Sequence, residues 1–186
     1  MLTDSDLIHN TLKGDTLAYK QLVERFQNHM FSVCLSILKN RDDAQEATQD
    51  TFVKAFKALQ SFNGESKFSS WLYKIAYRTS LDYIRKRKTT IDIGDEENKL
   101  TDNYNAGTNL ENSELTNLLL KAINCLKPEE AGLIRMFYLE ELSIKELEEI
   151  TSLSTSNVKV KLFRARTKLS AIIKDQFSEI EEYLQF

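Results

Sequence analysis

Apolar residues recur at three- and four-residue spacing along most of the chain, and the interruptions between these stretches mark where helices start and stop. Thr3 to Leu12 predicts a short helix closed near Gly14. Asp15 or Thr16 then caps a longer helix reaching about Lys39, whose broad apolar face includes Tyr19, Leu22, Phe26, Met30, Cys34 and Ile37. The next helix is expected to begin at Asp42, where Asp42-x-x-Gln45 has the form of a capping box. Ala44, Ala47, Thr48, Thr51, Phe52, Ala55, Phe56 and Leu59 make its inward stripe. Its opposite face carries Asp43, Glu46, Gln49, Asp50 and Lys57, which is either ordinary solvated surface or an acidic docking face.

A polar loop from Gln60 to Lys67, with Gly64 at its middle, leads into the most distinctive stretch of the chain, FSSWLYKIAYRTSLDYIRKRK from Phe68 to Lys88. Leu72, Ala76, Thr79 and Tyr83 form one stripe of this helix, and Lys74, Arg78, Arg85, Lys86, Arg87 and Lys88 line its outer edge. Helical periodicity then stops. Residues 89–112 are rich in Asp, Asn, Gly and Thr and are expected to form a flexible acidic linker, long enough to span as much as about 80 Å at roughly 3.3 Å per residue. Ser113 is positioned to cap a helix containing Leu115, Leu118, Leu119, Ala122, Ile123 and Leu126. Lys127-Pro128 starts another with Leu133, Ile134, Phe137 and Tyr138 as its buried face. Ser143-x-x-Glu146 is a second capping box, stapled by Leu142 and Leu147, and Ser154 opens a further helix after a short turn. Helix 144–150, turn 151–154 and helix 155 to about 173 have helix-turn-helix spacing.

The chain of 186 residues has five Gly and one Pro, which agrees with an all-α fold of one or two small domains. No apolar run approaches the roughly 20 residues of a membrane span, and the polar start lacks a signal-peptide pattern, so a cytoplasmic location without membrane insertion is expected. Cys34 and Cys125 lie within apolar helical patterns and are expected to be buried thiols. His9 and His29 have no ligand-spaced partners, and no cofactor or metal is expected.

The net charge of −3 conceals a strong alternation. Seven cations between Lys67 and Lys88 oppose only Asp82. The linker is acidic, residues 154–174 carry six cations and no acid until the acidic tail, and two separated basic helices suggest two contacts with a polyanion. In the second, Val158, Leu162, Ala165 and Leu169 face inward. Ser156, Asn157, Lys159, Val160, Lys161, Arg164 and Lys168 remain outside, short polar groups being placed for base edges and cations for phosphates.

Three segments resemble, in order and at matching spacing, the extracytoplasmic-function (group 4) sigma factors of the sigma-70 family, the promoter-reading subunits of bacterial RNA polymerase. DDAQEATQDTFVKAFKAL resembles the polymerase-binding helix of sigma domain 2, FNGESKFSSWLYKIAYRTSLDYIRKRK its promoter-melting segment, and SIKELEEITSLSTSNVKVKLFRARTKL the helix-turn-helix of sigma domain 4. The resemblance implies domain 2 over residues 1–88, the linker over 89–112, domain 4 over 113–174 and an acidic amphipathic tail over 175–186. It implies that Asp43, Glu46, Gln49, Asp50 and Phe52 meet the clamp helices of the polymerase beta-prime subunit, domain 4 meeting the beta flap. By the same resemblance, Asn63, Ser66, Lys67, Phe68, Ser69, Trp71, Lys74, Tyr77, Arg78, Arg85, Lys86 and Arg87 serve the −10 element, with the loop from Asn63 to Ser69 capturing a flipped-out base. Trp71 fits either that role or a place in the core. Ser156, Asn157, Lys159, Val160, Lys161 and Arg164 match the −35-reading surface, and an anti-sigma factor is an implied partner.

The chain departs from the family where Glu141 replaces a frequent Gly, Ser156-Asn157 a frequent Gly-Thr, and Val160-Lys161 a frequent Ser-Arg. These changes leave the fold intact and bear on which promoter is read. A conventional helix-turn-helix regulator is the alternative, but it gives no role to the basic aromatic helix. A nucleic-acid enzyme would need a phosphate loop, a metal cluster or a nucleophile with its base, and the sequence offers none of these patterns.

Overall fold

The computed structural model describes residues 2–91 and 114–177, and every regular element among them is helical. The first half comprises α1 (Asp4–Leu12), α2 (Thr16–Leu38), α3 (Arg41–Ala58), a single 3-10 turn (Leu59–Ser61) and α4 (Phe68–Ile91). The second comprises α5 (Glu114–Asn124), α6 (Pro128–Ile134) continuing into a π turn (Arg135–Leu139), α7 (Ile144–Thr151) and α8 (Thr155–Gln176). Most of the expected linker, and residues 178–186 of the expected tail, lie outside the described residues. None of the described helices is long and apolar enough to cross a membrane.

Side-chain caps set most helix starts. Thr3 and Asp6 form a reciprocal capping box on α1, and the Asp15 carboxylate accepts from the first N–H groups of α2. α3 starts earlier than the Asp42 box would place it. Asn40 is the extended N-cap, and its side-chain oxygen accepts from the Asp43 N–H at 2.9 Å. The Ser143–Glu146 box forms as expected, the Glu146 N–H donating to Ser143 Oγ at 3.2 Å and the Ser143 N–H to Glu146 Oε2 at 2.9 Å.

α2 is the central element, packed by α1, α3 and α4. Leu22, Met30, Val33, Cys34 and Ile37 meet Ala44, Ala47, Ala55, Leu72 and Ala76 in its buried core. Small residues let these helices approach closely, and hydroxyls within the core are satisfied locally. Thr48, Thr51 and Ser80 each donate to the carbonyl four residues earlier on their own helix. Burial pushes the Cys34 thiol pKa up. α4 runs three residues beyond its expected end at Lys88.

The second half folds back onto the first. Ile123, Leu126, Ala131, Ile134 and Ala165 form a small cluster of their own. Leu133, Met136, Leu142, Leu147, Ile150, Val158 and Leu162 instead join the main core, α7 packing on α4 and α6 on α2. Two expectations fail here for a local reason. The π turn rotates the residues after Ile134, leaving Tyr138 47% exposed although it was expected inside, and Phe137 half-buried. Cys125, also expected inside, is exposed beside the turn between α5 and α6.

Candidate nucleic-acid and polymerase interface

The exposed face of α3 is part acidic and part apolar. Glu46, Gln49 and Asp50 are exposed, Asp43 pairs with Arg87 at 3.7 Å, and Asp50 accepts from the Tyr83 hydroxyl at 3.0 Å. Partial burial, followed by that bond to Asp50, pushes the Tyr83 pKa up to about 12. Phe52, the fifth residue matched to polymerase docking, is only 7% exposed and belongs to the core. The apolar groups that do face outward are Val53 and Phe56, at 51% and 49% exposure, with Phe56 held edge-on against Tyr19 at 4.8 Å between ring centroids. Phe56 was expected inside. The inward stripe through Ala44, Ala47, Thr51 and Ala55 is narrow, and Phe56 falls just past its edge.

The loop before α4 is shaped by Gly64, in the left-handed region at φ 75°, and by Asn63, whose side-chain oxygen accepts from the Glu65 N–H at 3.2 Å. Behind it Phe62, Phe68 and Trp71 pack with ring centroids 5.3 to 5.7 Å apart, and Phe26 closes on Phe68 at 5.6 Å. Phe68 is buried, whereas Trp71 is half-buried, anchored by this cluster and presenting its remaining surface to a cavity. That cavity, of about 290 Å³, is lined by Asn63, Glu65, Ser66, Ser70, Trp71, Lys74 and Glu149. Trp71 thus packs in the aromatic cluster while keeping one side on the cavity. Lys67 and Arg78 are exposed, Ser69 is half-buried, and Tyr77 is buried at 6%. Arg85, Lys86 and Arg87 are exposed along the far end of α4.

On α8, Ser156, Asn157, Lys159 and Val160 are exposed together over the first turns, with Val158, Leu162 and Ala165 buried beneath. Lys161 and Arg164 lie to one side and line a groove of about 450 Å³ between α8, α6 and the Leu81 and Ile84 flank of α4. Lys161 pairs there with Glu129 at 3.1 Å. Phe163, outside the sequence expectation, is 62% exposed next to this surface, with the Arg166 guanidinium 5.9 Å from its ring centre. Its only sequence signal was an apolar residue on the polar side of α8.

A helix with a mixed acidic and apolar exposed face, a basic aromatic helix beside a small polar cavity, and a helix-turn-helix together fit a promoter-reading protein of the transcription machinery. A family model described as Sigma-70 region 2 matches residues 22–90, and one described as Sigma-70, region 4 matches residues 116–169. An ECF RNA polymerase sigma-E factor of Haemophilus influenzae is 33% identical over 178 residues, covering 89% of this chain and 92% of that protein. The ECF RNA polymerase sigma factor SigW of Bacillus subtilis is 28% identical over 178 residues, covering 90% and 95%. Among solved structures, the sigma factor RpoE of Bartonella quintana in complex with the anti-sigma factor NepR superposes with a TM-score of 0.68 at 22% identity, covering 85% of this chain and 98% of that one. CnrH in complex with the cytosolic domain of CnrY gives 0.64 at 22% identity, covering 91% and 96%. The chain belongs to the sigma-70 family, as an extracytoplasmic-function RNA polymerase sigma factor, and the reading as an independent regulator is set aside.

Proposed function

We propose that the chain is a non-enzymatic initiation subunit working in the cytoplasm, which docks on core RNA polymerase through α3, opens promoter DNA at the −10 element through the loop before α4, and holds the −35 element through α8. The observation that carries this reading is the cavity at the head of α4. Asn63 and Ser66 offer hydrogen-bond donors and acceptors, Trp71 an aromatic wall and Lys74 a cation, which is the chemistry a base drawn out of the duplex requires. Unstacking a base costs a few kcal/mol. Stacking against an aromatic side chain returns about 1 to 3 kcal/mol, and the cations of α4 are placed to hold the flanking phosphates.

Asp43, Glu46, Gln49 and Asp50 supply charge and hydrogen bonds to the polymerase clamp, and Val53 and Phe56 supply the apolar contact that Phe52, being buried, does not. On α8, Ser156, Asn157 and Val160 approach base edges while Lys159 and Arg164 reach phosphates. The acidic linker runs toward the polymerase cleft, and domain 4 meets the beta flap. An anti-sigma factor is a partner of this chain, as it is of the two structural neighbours. Run-off transcription on a genomic template library with purified core polymerase, with and without the protein, tests the reading. Protein-dependent starts sharing paired upstream elements support it. Their absence with folded protein and active core contradicts it.

A further inference from the structure

The outer face of α8 is laid out more sharply than its charge alone suggests. Ser156, Val160, Phe163 and Thr167 follow one another at four-, three- and four-residue steps, so they fall on a single stripe opposite the buried Val158, Leu162 and Ala165. Exposed cations border this stripe on both sides, Lys159 and Arg166 along one edge and Arg164 along the other. The stripe itself carries no charge. Its ends are short polar groups, Ser156 and Thr167, and the Thr167 hydroxyl donates to the Phe163 carbonyl of its own helix at 3.0 Å. Between them stand Val160 at 45% and Phe163 at 62% exposure, the two large apolar side chains exposed on α8 among the described residues.

A single exposed valine is ordinary on most protein surfaces. What distinguishes Val160 is its surroundings. Lys161, the next residue, is half-buried in the groove beside α6 and pairs there with Glu129 at 3.1 Å, so it does not compete for the centre of the stripe. Asn157 one turn before and Arg164 one turn after are both exposed. The line along the helix therefore passes from an amide, through an isopropyl group, to a guanidinium. As a β-branched residue on a solvent-facing turn, Val160 adds nothing to helix formation.

A helix about 10 to 12 Å across fits a major groove about 12 Å wide, and cations on both borders of the stripe match the phosphates of the two groove walls. The group at the centre is then pressed against base edges. Those edges present nitrogen and oxygen donors and acceptors, with one apolar exception, the C5 methyl group of thymine. Val160 can neither donate nor accept. Against a polar edge it would displace water and leave a hydrogen-bonding group unpaired, which costs affinity. Against a thymine methyl it removes apolar surface from water on both partners.

Resting on the assignment of α8 to the −35 element, and going beyond it by naming the base, we propose that Val160 is a specificity-determining residue that reads a thymine of that element through its C5 methyl group. Lys159, Arg164 and Arg166 hold the duplex against it, and Phe163 continues the apolar strip along the groove. The chain thereby selects an A·T pair opposite Val160.

The test uses holoenzyme assembled from core polymerase and the full-length chain, on a labelled promoter duplex taken from mapped starts, with the −10 element left unchanged. Each thymine of the −35 element, on either strand, is replaced in turn by deoxyuridine, which lacks the methyl group and keeps every hydrogen-bonding group. Fluorescence anisotropy reads affinity. The expected result is about fourfold weaker binding at one thymine or at two adjacent ones, as for the loss of one buried methyl-sized group. Val160→Ser should bind the thymine and deoxyuridine duplexes equally at that position, whereas Val160→Thr, which retains one methyl group, should keep part of the difference. Both substitutions fall at an exposed position and leave the core beneath α8 intact. A flat deoxyuridine scan with the wild-type chain, a thymine preference that survives Val160→Ser undiminished, or a −35 element without an A·T pair would overturn the proposal. A scrambled −35 element and Lys159→Ala test the underlying assignment separately. Unchanged binding in both removes that assignment and the thymine contact with it, whereas a loss in both together with a flat deoxyuridine scan removes the thymine contact alone.

Discussion

Glu141 and Glu146 stand five residues apart and illustrate how much a single backbone or side-chain setting controls. Glu141 holds φ at 54°, the left-handed region that costs a side chain about 1 kcal/mol and that glycine adopts freely. Glu141→Gly should leave stability unchanged or raise it by up to about 1 kcal/mol, measured by urea denaturation. A loss of more than that would show that the glutamate side chain contributes something the backbone does not reveal. Burial alone would raise the Glu146 pKa. The backbone N–H and hydroxyl of Ser143, the Ser70 hydroxyl and Lys67 outweigh it and hold the carboxyl down to about 2. Because the folded value lies below the ordinary 4.5, its contribution is present above that pH and is lost as pH falls toward about 2. Unfolding midpoints of the wild type should therefore fall more steeply between these values than those of Glu146→Gln. Parallel curves would contradict the assigned role.

α3 shows what a helix tells from sequence and what it conceals. Its inward stripe of Ala and Thr was legible from spacing, as were the exposed acids. Asn40 in place of Asp42 as the cap was not, because several short polar residues in succession all satisfy the capping preference and only the backbone decides among them. Phe52 and Phe56 were both read as inward, yet one is buried and the other half exposed, since four residues along a helix advance about 40° beyond a full turn. This separates their phenotypes. Phe52→Ala should destabilise the fold by about 3 to 5 kcal/mol. Phe56→Ala should change stability little, within about 1 kcal/mol, while weakening core-polymerase binding about tenfold. Thermal unfolding and a polymerase pull-down titration distinguish the two. Equal effects of both substitutions on stability would undo the assignment of Phe56 to the docking face. The π turn after α6 is a similar case, because one extra residue per turn leaves no mark in apolar spacing yet swings Tyr138 outward.

Across the whole molecule, the helical content, the two basic helices and the helix-turn-helix were readable because each rests on local chemistry: periodicity, caps and charge. The closure of one half on the other was not. It depends on Glu140, whose donors come from His29, Tyr73 and Arg135 at sequence distances up to 111 residues, and on a glycine whose usefulness appears only beside Ile37. On the roles proposed for α3 and α8, the chain is expected to read DNA as part of the polymerase. The most direct measurement is an anisotropy titration of a labelled promoter duplex, identified from mapped starts, with the chain alone, with core enzyme alone and with both. The account predicts tight binding only when both are present, weakening with salt by about 0.9 log-log units for each phosphate neutralised. Equally tight, sequence-specific binding by the chain without polymerase would contradict it.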